Sequence, residues 1–124
     1  MSPFEPGVAG AMALHGVMSR NIANKGERTV QGINYPYFYN PMWGMYNDGT
    51  HGPPGTYYRS ESGHMALFWY MFDQVLIRPA LLDYFNCENL HIVDFDGKAS
   101  FLSKEGKPKA SISDHLPIAF KLEI

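Results

Sequence analysis

The chain has 124 residues, which suits one domain with a modest core. Apolar residues make up 45% and aromatic residues 15%, which excludes global disorder and favours sheet. A net charge of −2 excludes a basic field that would steer nucleic acid non-specifically, and a single cysteine, Cys87, excludes an internal disulfide framework or a CxxC metal knuckle.

The opening Met1-Ser2-Pro3-Phe4-Glu5 has no basic stretch ahead of an apolar one. No secretory signal is therefore read there, no apolar run is long enough to span a bilayer, and a cytoplasmic location is expected. Residues 7–19 are expected to form a helix. Val8, Ala11, Met12 and His15 fall at near-helical spacing, Ala9, Ala11 and Ala13 favour helix, and Pro6 suits a helix start. His15 then reads as a surface or packing residue. Residues 24–31 are polar and read as a connection.

Residues 32–56 carry turn signals at Asn40-Pro41, Asn47-Asp48-Gly49 and Gly52-Pro53-Pro54-Gly55. They read as a long loop region with one helical turn over 42–46. A strand is expected over 55–59. Residues 64–77 are a long apolar-aromatic run, ambiguous at first and a strand over 72–77. Pro79 permits a short helix over 80–85, and 89–94 reads as a strand. Asp96-Gly97 and Gly106-Lys107-Pro108 punctuate a surface hairpin or loop carrying four lysines, and 116–122 is the last strand. The expected class is α/β in the α+β sense, one domain over 1–124 with one mostly antiparallel sheet and flanking helices.

Two features carry chemistry. Asp73 lies inside Phe68-Trp69-Tyr70-Met71-Phe72-Asp73-Gln74-Val75-Leu76-Ile77, where an ionised carboxylate is costly unless it is paired. The alternative is a place on the solvent face of an edge strand. Ser113-Asp114-His115 opens the last strand, and a loop-to-strand junction fixes the backbone while exposing side chains. The alternative is a plain turn before a strand. A histidine acting as general base needs a carboxylate to hold its tautomer, so Asp73 is a candidate partner for His115. Asp114 is then free to face a hard cation.

Phe72-Asp73-Gln74-Val75-Leu76, followed about forty residues later by Ser113-Asp114-His115-Leu116-Pro117 and a final strand, resembles the C-terminal end of the endonuclease/exonuclease/phosphatase superfamily. That superfamily includes DNase I-like nucleases, abasic-site endonucleases, inositol-polyphosphate phosphatases and sphingomyelinases. Ser2-Pro3-Phe4-Glu5-Pro6-Gly7, followed by a helix, resembles what comes directly after that family's Gly-Asp-Phe-Asn motif. The resemblance implies a catalytic His115, an orienting Asp73, and Asp114 as a metal-site or proton-relay carboxylate. It implies Mg²⁺ or Mn²⁺ as cofactor, a phosphoester substrate, and half of a two-sheet sandwich. The family's Asp-x-Asn pair, early-strand metal-binding Glu and second histidine site have no counterpart here, so the expectation is a fragment, with little activity by itself. Its uncovered apolar face is expected to self-associate as a homodimer or to meet a missing N-terminal half.

Weaker substrate-binding candidates are Asn40 and Trp43 in the long loop region, and Tyr57 and Arg59 on the 55–59 strand. Each has a plainer alternative: an aromatic anchor for the first two, an ordinary strand with a solvated Arg for the others. His51 and His64 lack metal-pair spacing. His91 reads as structural and Cys87 as buried or inert.

Overall fold

A computed structural model describes residues 1–10, 12–49, 52–60 and 66–124. The chain mixes short helices with short strands. In order these are α1 (Pro6–Ala9), β1 (Gly16–Val17), α2 (Arg20–Ala23), β2 (Glu27–Val30), β3 (Ile33–Pro36) and β4 (Phe38–Tyr39), then a 3-10 turn over Pro41–Met45. After these come β5 (Tyr57–Tyr58), β6 (Trp69–Tyr70), 3-10 turns over Pro79–Tyr84 and Cys87–Asn89, β7 (His91–Ile92) and β8 (Ile118–Ala119). Among the described residues the strands form four two-stranded sheets, not one mostly antiparallel sheet: β1 with β4 in parallel, and β2–β3, β5–β6 and β7–β8 antiparallel.

The helix expected over 7–19 stops after one turn. Gly10 leaves helical geometry at φ −72°, ψ 160°, its N–H closing on Pro6 O, and His15 then takes φ 53°. The chain thereby reaches β1, whose backbone pairs with Phe38 and Tyr39, and that pairing outweighs the local helix preference of the alanines. His15 is buried rather than superficial. Its Nδ1 accepts from Arg28 Nε at 2.8 Å and its ring stacks on Tyr35.

The polar stretch 24–31 and the start of the expected loop are a hairpin. Gln31 and Gly32 both have positive φ, 51° and 78°, the geometry of a two-residue hairpin turn matched to strand twist. Both strands are largely exposed, so no apolar alternation marks them in the sequence. The helical turn near Met42 is present as the 3-10 turn, with Asn40 Oδ1 accepting from Met42 N. The short helix expected over 80–85 is a 3-10 turn started by Pro79. Residues 72–77 do not form a strand, and only Ile77 bridges, exchanging backbone bonds with Tyr39. Between Asp94 and Lys109 the chain forms a surface hairpin, with bridges Phe95–Ser100 and Leu102–Pro108 and positive φ at Gly97 and Gly106.

The core gathers Met42, Met71, Leu82 and Leu116, all essentially inaccessible, with Tyr39, Ile77, Phe85, Leu90 and Ile92 around them. Each such side chain contributes about 1.5–3 kcal/mol by leaving water. Arg20 ties α2 to this core by donating to Leu82 O and Phe85 O.

Of the two readings of Cys87, buried or inert, the structure rules out the first: Cys87 is exposed, and its Sγ lies 3.4 Å from Tyr39 Oη. Burial, and then the neighbouring thiol, push the Tyr39 phenol up to about 12. A tyrosine whose proton is held more tightly in the folded state than at its ordinary value near 10 stabilises the fold fully below pH 10. That contribution is lost as pH rises from 10 to 12. Urea midpoints measured from pH 9 to 11.5 should therefore fall less steeply in Tyr39→Phe than in the parent chain; parallel curves would reject this assignment.

Candidate functional site

The site grows from Thr56, which no local pattern singles out. Thr56 is fully buried. Its N–H donates to Tyr70 O at 2.9 Å, and its carbonyl accepts from Leu116 N at 2.7 Å. Its Oγ1 accepts from the N–H groups of both Phe72 and Asp73, each at 3.2 Å. One residue therefore fixes the backbone on both sides of the chemistry, that of Asp73 and that of His115-Leu116. The N–H groups of Phe72 and Asp73 go to a side chain instead of a neighbouring strand, so the expected strand does not start there. Gly55 lets the chains approach: a Cβ there would sit 2.7 Å from Tyr70 O.

In this frame His115 Nδ1 lies 2.7 Å from Asp73 Oδ2, a contact spanning 42 residues of sequence. An ionised carboxylate only accepts, so Nδ1 carries the proton, and in the neutral ring Nε2 presents its lone pair. Nε2 makes no hydrogen bond to a described residue. The side chains of His115 and Asp73 are 41% and 38% exposed, so the pair is held in place yet open to solvent. The Tyr57 ring flanks His115 at 5.0 Å and Phe72 at 5.2 Å, and the Tyr57 backbone bridges to His115. Ser113 Oγ accepts from His115 N at 3.1 Å and tightens the turn that delivers the ring.

Of the residues expected from sequence, the structure joins Asp73, His115 and Tyr57. Asp114 is exposed on the adjoining turn. Asn40 is buried, with Nδ2 donating to Gln74 Oε1 at 2.7 Å and Oδ1 capping the 3-10 turn, so it braces the residue after Asp73. Trp43 lies in a separate aromatic concavity with Phe4, Tyr46 and Trp69. Arg59 is exposed at the end of the β5–β6 ribbon, its N–H donating to Phe68 O. His91 is an exposed residue of β7. His51 and His64 lie outside the described residues. Thr56, Gly55 and Gln74 were not read from the sequence as site residues. The one available signal was Gly55-Thr56 directly ahead of a strand facing the dyad.

Among the described residues no three His, Cys, Asp or Glu side chains converge so as to hold a metal ion. One oxygen of Asp73 is committed to His115, which leaves Asp114 as a lone exposed carboxylate. Mg²⁺ takes six oxygens in near-ideal octahedral geometry, so this donor set does not by itself make such a site. Two concavities among the described residues, of about 770 and 600 Å³, are lined by neither Asp73, Asp114 nor His115. Both side chains of the dyad are partly exposed to solvent. No described helix is long and apolar enough to cross a membrane. The chain matches no family model, no curated protein and no solved structure.

Proposed function

We propose that Asp73 and His115 are the acid/base element of a phosphoester hydrolase of the endonuclease/exonuclease/phosphatase type, in a chain that carries only part of the site. The observation that carries this reading is the 2.7 Å contact between Asp73 Oδ2 and His115 Nδ1, with Nε2 left open on a half-exposed ring. Asp73 fixes the tautomer. Nε2 takes a proton from water as its oxygen attacks phosphorus, and the opposite P–O ester bond breaks, its oxygen leaving with the electron pair. The carboxylate supports the imidazolium that forms until it returns the proton to solvent or to the departing oxygen. Tyr57 and Phe72 limit the ring's rotation. Any Mg²⁺ or Mn²⁺ implied by the resemblance draws its other ligands from outside these residues, and no step is assigned to it. This reading implies a two-sheet sandwich for the parent protein, of which this chain would supply about half.

The test compares this chain with the chain extended by its upstream coding sequence, using bis-p-nitrophenyl phosphate with Mg²⁺ or Mn²⁺. Hydrolysis is expected in the extended chain, falling by about 10²–10⁴-fold in His115→Gln. The 124-residue chain should stay near the buffer rate. Turnover in the extended chain that His115→Gln leaves unchanged overturns the assignment.

A second reading is favoured by the apolar surface. Phe95, Ile112 and Phe120 are each about half exposed, and the two-stranded sheets leave open edges. On this reading the chain is a non-catalytic module that self-associates, with Asp73 and His115 as a structural contact. Light scattering coupled to size exclusion should then give twice the chain mass of 14.0 kDa, whereas a monomer at micromolar concentration rejects self-association.

A further inference from the structure

The concavity that holds Trp43 belongs to neither reading. Phe4, Trp43, Tyr46 and Trp69 line it together with Leu67 and Asp48, around a volume of about 600 Å³. That volume falls in the range of small-molecule sites. The Phe4 ring lies 6.3 Å from both Trp43 and Tyr46, tilted to the first and parallel to the second. Tyr46 donates its hydroxyl to Trp69 O at 2.7 Å, so its polar end is taken up inside the protein and the ring is left as wall. Phe4 is 47% exposed, and the tryptophans are half-buried, so the ring surfaces are reachable. The lining comes from four segments that the fold brings together: the N-terminus, the stretch 43–48, Pro54, and residues 67–69.

The charge pattern selects an occupant. Among the described residues the lining holds no Lys, Arg or His, and its one charged side chain there is Asp48, which forms no ion pair with them. Aromatic faces carry negative quadrupoles and attract cations, most of all weakly hydrated ones that an apolar wall can desolvate. A strongly hydrated metal ion needs oxygen ligands that these rings do not offer. We propose that this concavity is a binding site for a small organic ammonium ion, its alkyl groups against the rings and its charge facing Asp48. The site is separate from the dyad and does not depend on the hydrolase reading. Trp69 lines it, whereas Tyr70, the next residue of β6, stacks on Phe72 beside His115.

The chain has two tryptophans, and both line the concavity, so its intrinsic emission reports on this place. The emission of the 124-residue chain is followed against choline chloride, with ionic strength held constant by NaCl. The probe is compared with 3,3-dimethylbutan-1-ol, its uncharged isostere. A saturable change with choline is expected, with the isostere at least about tenfold weaker. Asp48→Asn, at an exposed position that leaves the fold intact by far-UV circular dichroism, should weaken choline about five- to tenfold and leave the isostere unchanged. No saturable change, equal binding of the isostere, or an Asp48→Asn chain that binds choline as the parent does each overturns the proposal. Binding to phosphatidylcholine vesicles without binding of free choline also overturns it, since the site would then be a membrane contact.

Discussion

Asp73→Asn is expected to lower turnover of the extended chain by about 10⁴-fold, at nearly constant thermal stability. The amide keeps the volume of the carboxylate and the main-chain bond to Thr56 Oγ1. Turned with its NH₂ toward His115, it donates to Nδ1, moves the ring proton to Nε2 and removes the base's lone pair. The same event is visible in the 124-residue chain without any substrate: long-range ¹H–¹⁵N correlations should show an Nδ1–H imidazole in the parent and an Nε2–H imidazole in the variant. A ring that keeps its tautomer, or a loss of turnover below tenfold, would show that Asp73 only packs against His115.

Thr56→Val should act through structure where Asp73→Asn acts through chemistry. Valine keeps the branched shape and fills the same buried space, but Phe72 N–H and Asp73 N–H lose their acceptor. A fully buried donor without a partner costs about 1–3 kcal/mol. These two are part-buried, so the loss falls toward the lower end, about 1 kcal/mol, and the thermal midpoint should drop by a few degrees. The Nδ1–H signal of His115 should weaken, because the Asp73 backbone is no longer pinned. Thr56→Ser separates the causes. It keeps the hydroxyl and should retain the His115 signal while losing the packing of one methyl. If Ser and Val variants lose the signal alike, the hydroxyl is not what holds the dyad.

These two variants also mark where sequence reading stops. Asp73 and Ser113-Asp114-His115 were legible because each is locally anomalous: a charge in an aromatic run, and a polar triplet at a strand start. Thr56 is not anomalous. A threonine ahead of Tyr57-Tyr58 is ordinary for a strand, and its importance lies in two N–H groups sixteen and seventeen residues away. Trp43 and Asn40 were legible only as polar and aromatic residues of a loop. The fold sends one to an aromatic concavity and the other to a buried bond with Gln74.

By itself the sequence determined the features that depend on a few neighbouring residues. The 3-10 turns open at Pro41 and Pro79, the surface hairpin turns at Gly97 and Gly106, and strand centres fall at Tyr57–Tyr58, His91–Ile92 and Ile118–Ala119. Backbone φ preference and side-chain periodicity suffice for those. The tertiary structure alone decided how far each element runs and what each polar group meets. It stopped the first helix at Gly10, made a hairpin of an unpatterned polar stretch, split the sheet into four pairs, and closed the gap between Asp73 and His115 to 2.7 Å. The reason is that every buried N–H and C=O needs a partner, and which partner it finds depends on chain tens of residues away.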